Sequence, residues 1–352
     1  MINRIDNLEH LVILGAGATC AAYPYGDNNG KSIPGMDGFM EKTGLIDEFP
    51  KVRGEIEAHH NLEDLYSEWH DNPEKKDLCD KLGETIYRYL SELEPIGMNL
   101  YVKLLLSLTN RDVIATFNWD PFLSASYKRL SSDITHDLPS VLYLHGNVTM
   151  GYCSSCKRVG YLHDKCNVCG KTFAPMPLLY PIKNKNYNED IYIRSAWVDL
   201  GKAITHATAI TFFGYSAPES DEAAIAMMKQ AFCNDSLRNV VEYQLINIDD
   251  ESVLRANYET FEVKQEHLSI VSSFYDSFIA RYPRRSADYL YSCTMLCNPV
   301  GDFDEDEKLA IKEDDDISKL VMKVNEIDKN ALHIGGVERL KRAYRRCPEG
   351  VK

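Results

Sequence analysis

Leu11-Val12-Ile13-Leu14-Gly15-Ala16-Gly17-Ala18-Thr19 joins an unbroken apolar run to a glycine-rich turn. A run without alternation is what a strand buried on both faces requires, and such strands belong to parallel sheets covered by helices on either side. The pattern recurs four times. Val113-Ile114-Ala115-Thr116-Phe117 runs into Asn118-Trp119-Asp120, and Val141-Leu142-Tyr143-Leu144 into His145-Gly146. Ile210-Thr211-Phe212-Phe213 runs into Gly214-Tyr215-Ser216, and Gln244-Leu245-Ile246 into Asn247-Ile248-Asp249. Strands alternating with helical segments predict an α/β fold, a doubly wound parallel sheet of Rossmann-like type with right-handed crossovers. Ligands of such sheets collect at the carboxyl ends of the strands. The chemistry is therefore expected along one sheet edge.

Between the strands, 23–39 is polar and glycine-rich and reads as a long functional loop. Leu78, Leu82, Ile86, Leu90 and Leu93 recur every three or four residues, which predicts a helical insertion over about 45–110. Pro121 suits a first helical turn, and Asp120 before it is a candidate N-cap as well as a candidate ligand for an amide. Further helices are expected over about 191–207 and 219–232. Residues 1–285 are read as the catalytic domain and 286–352 as a helical C-terminal appendage, without strand signals.

The chain has 352 residues and a net charge of −14, so its overall field repels phosphate backbones and argues against direct nucleic-acid binding. Lys341, Arg342, Arg345 and Arg346 form a local basic patch, and 302–307 and 313–316 form acidic ones, all read as solvated surface. No segment approaches the roughly 18 uncharged apolar residues of a membrane helix, and no basic start precedes an apolar stretch. A cytoplasmic protein is expected.

Ten cysteines then point to metal or free thiols rather than disulfides. Cys153 and Cys156, then Cys166 and Cys169, make two CxxC pairs with nine residues between them, the spacing of a tetrahedral zinc site. Gly151, Gly160 and Gly170 are read as permitting tight knuckle turns. Four thiolates close the site, so a small structural zinc ribbon is expected over about 150–173.

The glycine turn at 15–19 lacks the third glycine of GxGxxG, because Cys20 stands there, and no acidic strand end follows at the dehydrogenase spacing. Taken in order, however, GAGAT, FNWD, LHGN, the paired CxxC module, FGYS and IN resemble the sirtuin superfamily over most of 8–250. The resemblance implies that Gly15, Ala16, Gly17 and Thr19 cradle the NAD phosphates and that Gly214 and Ser216 hold the pyrophosphate and adenosine ribose. It places Asn247 on the adenosine side, and Asn118 and Asp120 beside the nicotinamide ribose and amide. His145 matches the catalytic histidine. Each has an ordinary alternative: Asn118 and Asn247 as turn residues, His145 as a satisfied strand-end histidine, Gly214 as a turn glycine.

The bond from nicotinamide to ribose has a cationic pyridinium as leaving group, so the two-carboxylate apparatus of common glycosidases is unnecessary. Asn118 would orient a water or ribose hydroxyl at the anomeric carbon, and His145 would accept a proton. Sirtuin deacylases follow the last cysteine pair with a Phe-Gly-Glu strand that clamps an acyl-lysine peptide. This chain has Pro175, Pro177 and Pro181 there, which lack the N–H groups that β-addition needs. The nucleotide loop departs too, with Ile33-Pro34-Gly35-Met36-Asp37-Gly38-Phe39 set further from Gly15 and without arginine. Trp119, the run 214–221 and the missing clamp look more like the bacterial sirtuin-like NAD hydrolases of antiphage defence. That likeness implies NAD depletion, homo-oligomerisation, and restraint by a partner such as a HerA-type ATPase or another defence protein. A protein deacylase or ADP-ribosyltransferase, and a non-catalytic NAD or ADP-ribose sensor, are the competing readings.

Overall fold

The computed structural model describes residues 9–133, 137–180, 187, 190–217, 221–233, 241–259, 261, 267–294 and 308–330. Six strands make one parallel sheet: β1 (His10–Leu14), β2 (Val113–Thr116), β3 (Ser140–Tyr143), then, after three short strands described below, β7 (Ala209–Phe213), β8 (Glu242–Ile246) and β9 (Leu268–Val271). Their order is β3-β2-β1-β7-β8-β9 and every neighbouring pair is parallel. β1 and β2 are buried along their whole length, as their unalternated composition requires. β9 went unanticipated: four residues interrupted by Ser269, three of them half-buried at the sheet edge, make a weak apolar run.

Successive residues of the central strands feed two cores. Val12, Leu14 and Ile114 pack on one face with Leu65, Trp69, Leu82 and Ile86 of the insertion. Leu11, Ile13, Val113 and Ala115 pack on the other with Trp197, Leu200, Met228 and Tyr258. The first face carries α1 (Ala16–Ala22), α2 (Phe39–Lys42), α3 (Arg53–Ala58), α4 (Leu62–Asp71), α5 (Lys76–Ser91), α6 (Leu100–Ser107) and α7 (Phe122–Asp133). The second carries α8 (Ile191–His206), α9 (Glu222–Cys233) and α10 (Glu251–Glu259). In α5 the expected stripe is inward, with Leu82, Ile86 and Leu90 buried and Leu93 just beyond its end. α9 begins at Glu222, and the start expected near 219 lies outside the described residues.

After 285 the described residues form α12 (Ser286–Thr294), following the short α11 (Phe278–Arg281), and α13 at Ile317–Asn330, with 308–316 outside any helix. Ile311, Leu320 and Val324 enter the insertion-side core. Lys103 of α6 donates to the carbonyls of Lys312 (2.8 Å) and Glu313 (2.6 Å), holding this segment against the insertion. The basic patch near 341–346 and the acidic run 302–307 lie outside the described residues. Among those described, no helix is long and apolar enough to cross a membrane.

Three short strands, β4 (Met150–Cys153), β5 (Arg158–Tyr161) and β6 (Ala174–Pro175), form a separate antiparallel sheet that carries the cysteine pairs. Here one expectation needs correcting. Gly151 and Gly160 face each other in the strands rather than turning the knuckles, and a Cβ on Gly160 would come 2.2 Å from the ring of Phe173. They make room for that ring. Gly170, at φ +72°, is the turn glycine. The proline-bearing segment also begins as a strand, since Ala174–Pro175 pairs with β4.

Candidate functional site

β1 and β7 meet where the strand order switches direction, so the turns leaving them flank the crevice in which a doubly wound sheet binds ligands. The two turns touch. Gly15 N donates to Phe213 O and Gly17 N to Gly214 O, both at 3.0 Å. A Cβ on Gly15 would lie 2.5 Å from Gly214 O, and one on Gly214, whose φ is +63°, would lie 2.0 Å from Ala18 N. Glycine is needed here for the mutual approach of two backbones. Ala16 and Gly17 remain exposed at the crevice, while Thr19 is buried beneath them.

Asn118 follows β2 and turns its carboxamide into this junction. Nδ2 donates to Gly15 O (2.9 Å) and Thr19 Oγ1 (3.0 Å), and lies 3.4 Å from the Tyr101 hydroxyl. A peptide carbonyl can only accept, so Nδ2 must be the inward atom and Oδ1 is left as the outward acceptor. Asp120 Oδ1 accepts from Phe122 N (3.1 Å) at the start of α7, in keeping with the capping role, and Oδ2 accepts from Thr19 Oγ1 (2.7 Å). Burial pushes its carboxyl up to about 6, against the lowering effect of those hydrogen bonds.

Thr19, Asn118, Trp119 and Asp120 line a cavity of about 70 Å³ together with Ile33, Pro34, Met36 and Phe39 of the long loop and Tyr89 of α5. The loop is thus folded over the site. Buried Asp27 organises it by accepting from the backbone N–H of Asn29, Lys31 and Glu94. Trp119, another lining residue, has its Nε1 buried without a hydrogen-bond partner among the described residues.

His145 stands two residues beyond β3, level with Asn118 beyond β2, because Thr116 and Tyr143 are register partners. Its surroundings are aromatic. Phe117 packs edge-on against the imidazole at 4.9 Å, Tyr187 stacks at 5.9 Å with its hydroxyl 3.5 Å from Nε2, and Trp197 lies at 6.5 Å. Phe117 belongs to both settings, its residue lining the cavity while its ring packs on His145, Trp197 and Tyr215. The backbone after the histidine is overlaid by the segment leaving the cysteine module: Leu179 N donates to His145 O, and a Cβ on Gly146 would meet Pro177 O at 2.0 Å.

The structure therefore gathers Gly15, Thr19, Asn118, Asp120 and Gly214 into one contact network and holds His145 beside it among aromatic rings. Ser216 and Asn247 lie further along the same edge. Ser216 O accepts from Asn257 Nδ2, and Asn247 Oδ1 accepts from Asp249 N, a turn-forming contact. Tyr101 and Asn147 were missed by sequence reasoning. Asn147 ties the two strand-end loops together, donating to Asp120 O (2.6 Å) while its Oδ1 accepts from Thr149 N. The LHGN cluster held its signal; Tyr101, on a helix of the insertion, had none.

The ligand atoms of Cys153, Cys156, Cys166 and Cys169 all lie within 4.8 Å of one another. Tetrahedral zinc with Zn–S near 2.3 Å implies sulfur separations of about 3.8 Å, and Cys153 and Cys169 are at 3.5 Å. Backbone N–H groups of Cys169 and Val168 pull the Cys166 thiol down to about 6, which favours the thiolate a metal needs. The donor set fits a closed structural zinc site.

No family model matches the chain, and no curated protein matches it. Solved Sir2 structures align with it. A Sir2 homolog–NAD complex is 16% identical, covering 74% of this chain and 93% of that one at a TM-score of 0.33. Sir2 with a deacetylated peptide and 3'-O-acetyl ADP ribose is 13% identical, covering 76% and 90% at 0.35. A Sir2 protein bound to a propionylated peptide is 13% identical, covering 75% and 86% at 0.33.

Proposed function

We propose that the protein is a sirtuin-like enzyme that hydrolyses the nicotinamide–ribose bond of NAD to nicotinamide and ADP-ribose. The observation that carries this reading is the Asn118 carboxamide, pinned with its nitrogen inward at the switch-point crevice and level with His145 on the neighbouring strand end. Exposed Ala16 and Gly17, with Gly214 behind them, suit the phosphates; Ser216 and Asn247 continue the edge toward the adenosine. The nicotinamide faces the cavity, where the Trp119 indole N–H is a free donor for its amide oxygen and Asp120 an acceptor for its amide nitrogen.

In the reaction a water oxygen, oriented by Asn118 Oδ1, bonds to the anomeric carbon as the carbon–nitrogen bond breaks. The electron pair returns to the pyridinium, which leaves neutral, and His145 takes the water's proton. Positioning and proton transfer each contribute a few powers of ten. Cys153, Cys156, Cys166 and Cys169 would hold a zinc ion whose contribution is structural. Hydrolysis is favoured over deacylation because the segment carrying Pro175 and Pro177, which would have to pair with an acyl peptide, lies across the histidine backbone. NAD depletion in antiphage defence, homo-oligomerisation, and restraint by a HerA-type ATPase or similar partner belong to this reading.

Chromatography of NAD and its products, with the protein activated by its partner if needed, tests it. Nicotinamide should appear without any acylated peptide, and His145→Ala or Asn118→Ala should lower the rate by about 100-fold or more. Undiminished release by the His145 variant, dependence on an acyl peptide, transfer of ADP-ribose to protein, or binding without turnover would overturn it.

A further inference from the structure

Tyr101 belongs to the helical insertion, yet its hydroxyl lies inside the site. It is fully buried on α6, whose N-cap Asn99 accepts from Val102 N, and its oxygen is 2.7 Å from Thr19 Oγ1. With the Asp120 carboxyl ionised, counting protons fixes the direction of every bond. Thr19 has a single hydroxyl proton, and it goes to Asp120 Oδ2 at 2.7 Å. The Thr19 oxygen can then only accept, once from Asn118 Nδ2 at 3.0 Å and once from the Tyr101 O–H. A threonine hydroxyl left alone rotates to suit its surroundings; this one is held by three partners of fixed polarity. Burial and the nearby Asp120 carboxylate hold the Tyr101 phenol well above its usual range, so it remains a donor.

We propose that Tyr101 is a positioning residue for NAD cleavage, its O–H locking the Thr19 hydroxyl and, through Thr19, the Asn118 carboxamide and the Asp120 carboxylate. The inference rests on the NAD-hydrolase reading. Tyr101 acts from behind the cavity wall, so removing its hydroxyl disturbs the aim of Asn118 and not the surface on which NAD lies. The helical insertion becomes part of the catalytic apparatus rather than a cover over it.

Tyr101→Phe keeps the ring and removes only the hydroxyl. Steady-state nicotinamide release should show kcat lowered about tenfold, equivalent to roughly 1.4 kcal/mol, with KM within about twofold of wild type. A double-mutant cycle separates positioning from packing: in a Thr19→Val background the further loss of the Tyr101 hydroxyl should lower kcat by less than about twofold, since the partner it mainly acts through is gone and only its long 3.4 Å contact with Asn118 Nδ2 remains. Wild-type kcat in Tyr101→Phe, a loss confined to KM, or a tenfold loss persisting in the Thr19→Val background would each overturn the proposal while leaving NAD hydrolysis standing. A wild-type protein that releases no nicotinamide under any activation removes both.

Discussion

Asn118 and His145 leave neighbouring strands at the same level, yet the molecule holds them by different forces. The carboxamide is fixed by hydrogen bonds to Gly15 and Thr19, with Asp120 and Tyr101 completing the set. The imidazole is surrounded by the rings of Phe117, Tyr187 and Trp197. Hydrogen bonds set which atom of a group faces a ligand; aromatic packing sets where a ring sits. An orienting amide needs the first and a proton acceptor the second.

Four perturbations separate these two modes. Metal removal should have the largest effect, because the segment overlying His145 starts from β6 in the cysteine sheet. Structural zinc contributes on the order of 10 kcal/mol to folding such a module. Chelation or Cys166→Ser should speed hydrogen exchange at residues 150–180, including the Leu179 amide bonded to His145 O, and leave the Asn118 loop protected. Equal acceleration in both would erase the distinction. Phe117→Ala removes the ring packed on His145, Trp197 and Tyr215, and denaturant unfolding should register a loss of about 3–5 kcal/mol; a loss below about 1 kcal/mol would mean that aromatic packing does not hold the His145 side.

Asp120 gives the hydrogen-bonded side a pH signature. Burial raises its folded-state pKa to about 6, above the ordinary carboxylate value near 3.8, so the folded state binds the proton more tightly. The resulting stability is fully present below pH 4 and lost as the pH rises through 6. Wild type should therefore lose up to about 3 kcal/mol relative to Asp120→Asn across that window, at 1.36 kcal/mol per unit. Unfolding titrations giving a constant difference would contradict it. The smallest effect is expected at Tyr187→Phe, where the hydroxyl contact with His145 Nε2 is long at 3.5 Å. Its stability should change by less than about 1 kcal/mol, and a larger drop would move His145 into the hydrogen-bonded class.

Much of the fold was legible because strands buried on both faces cannot hide their composition, and five of the six parallel strands lie where unbroken apolar runs predict them. β9 escaped because its edge position relaxes that demand. The CxxC pairs were legible through ligand chemistry, whereas Gly151 and Gly160 were misjudged because the ring they accommodate, Phe173, comes from further along the chain. The same distance hid Tyr101, which reaches Thr19 across 82 positions. Asn118 could be named from its motif, but the facing of its amide emerges only when Gly15 O is seen beside it.

A structure of the protein with ADP-ribose bound tests the account most directly. It should show the pyrophosphate at the Gly15–Gly17 and Gly214 turns, Asn118 Oδ1 within hydrogen-bond distance of a ribose hydroxyl or of a water at the anomeric carbon, and Nδ2 still on Gly15 O. A ligand bound away from this edge, or an Asn118 amide turned with its nitrogen toward the ribose, would contradict it.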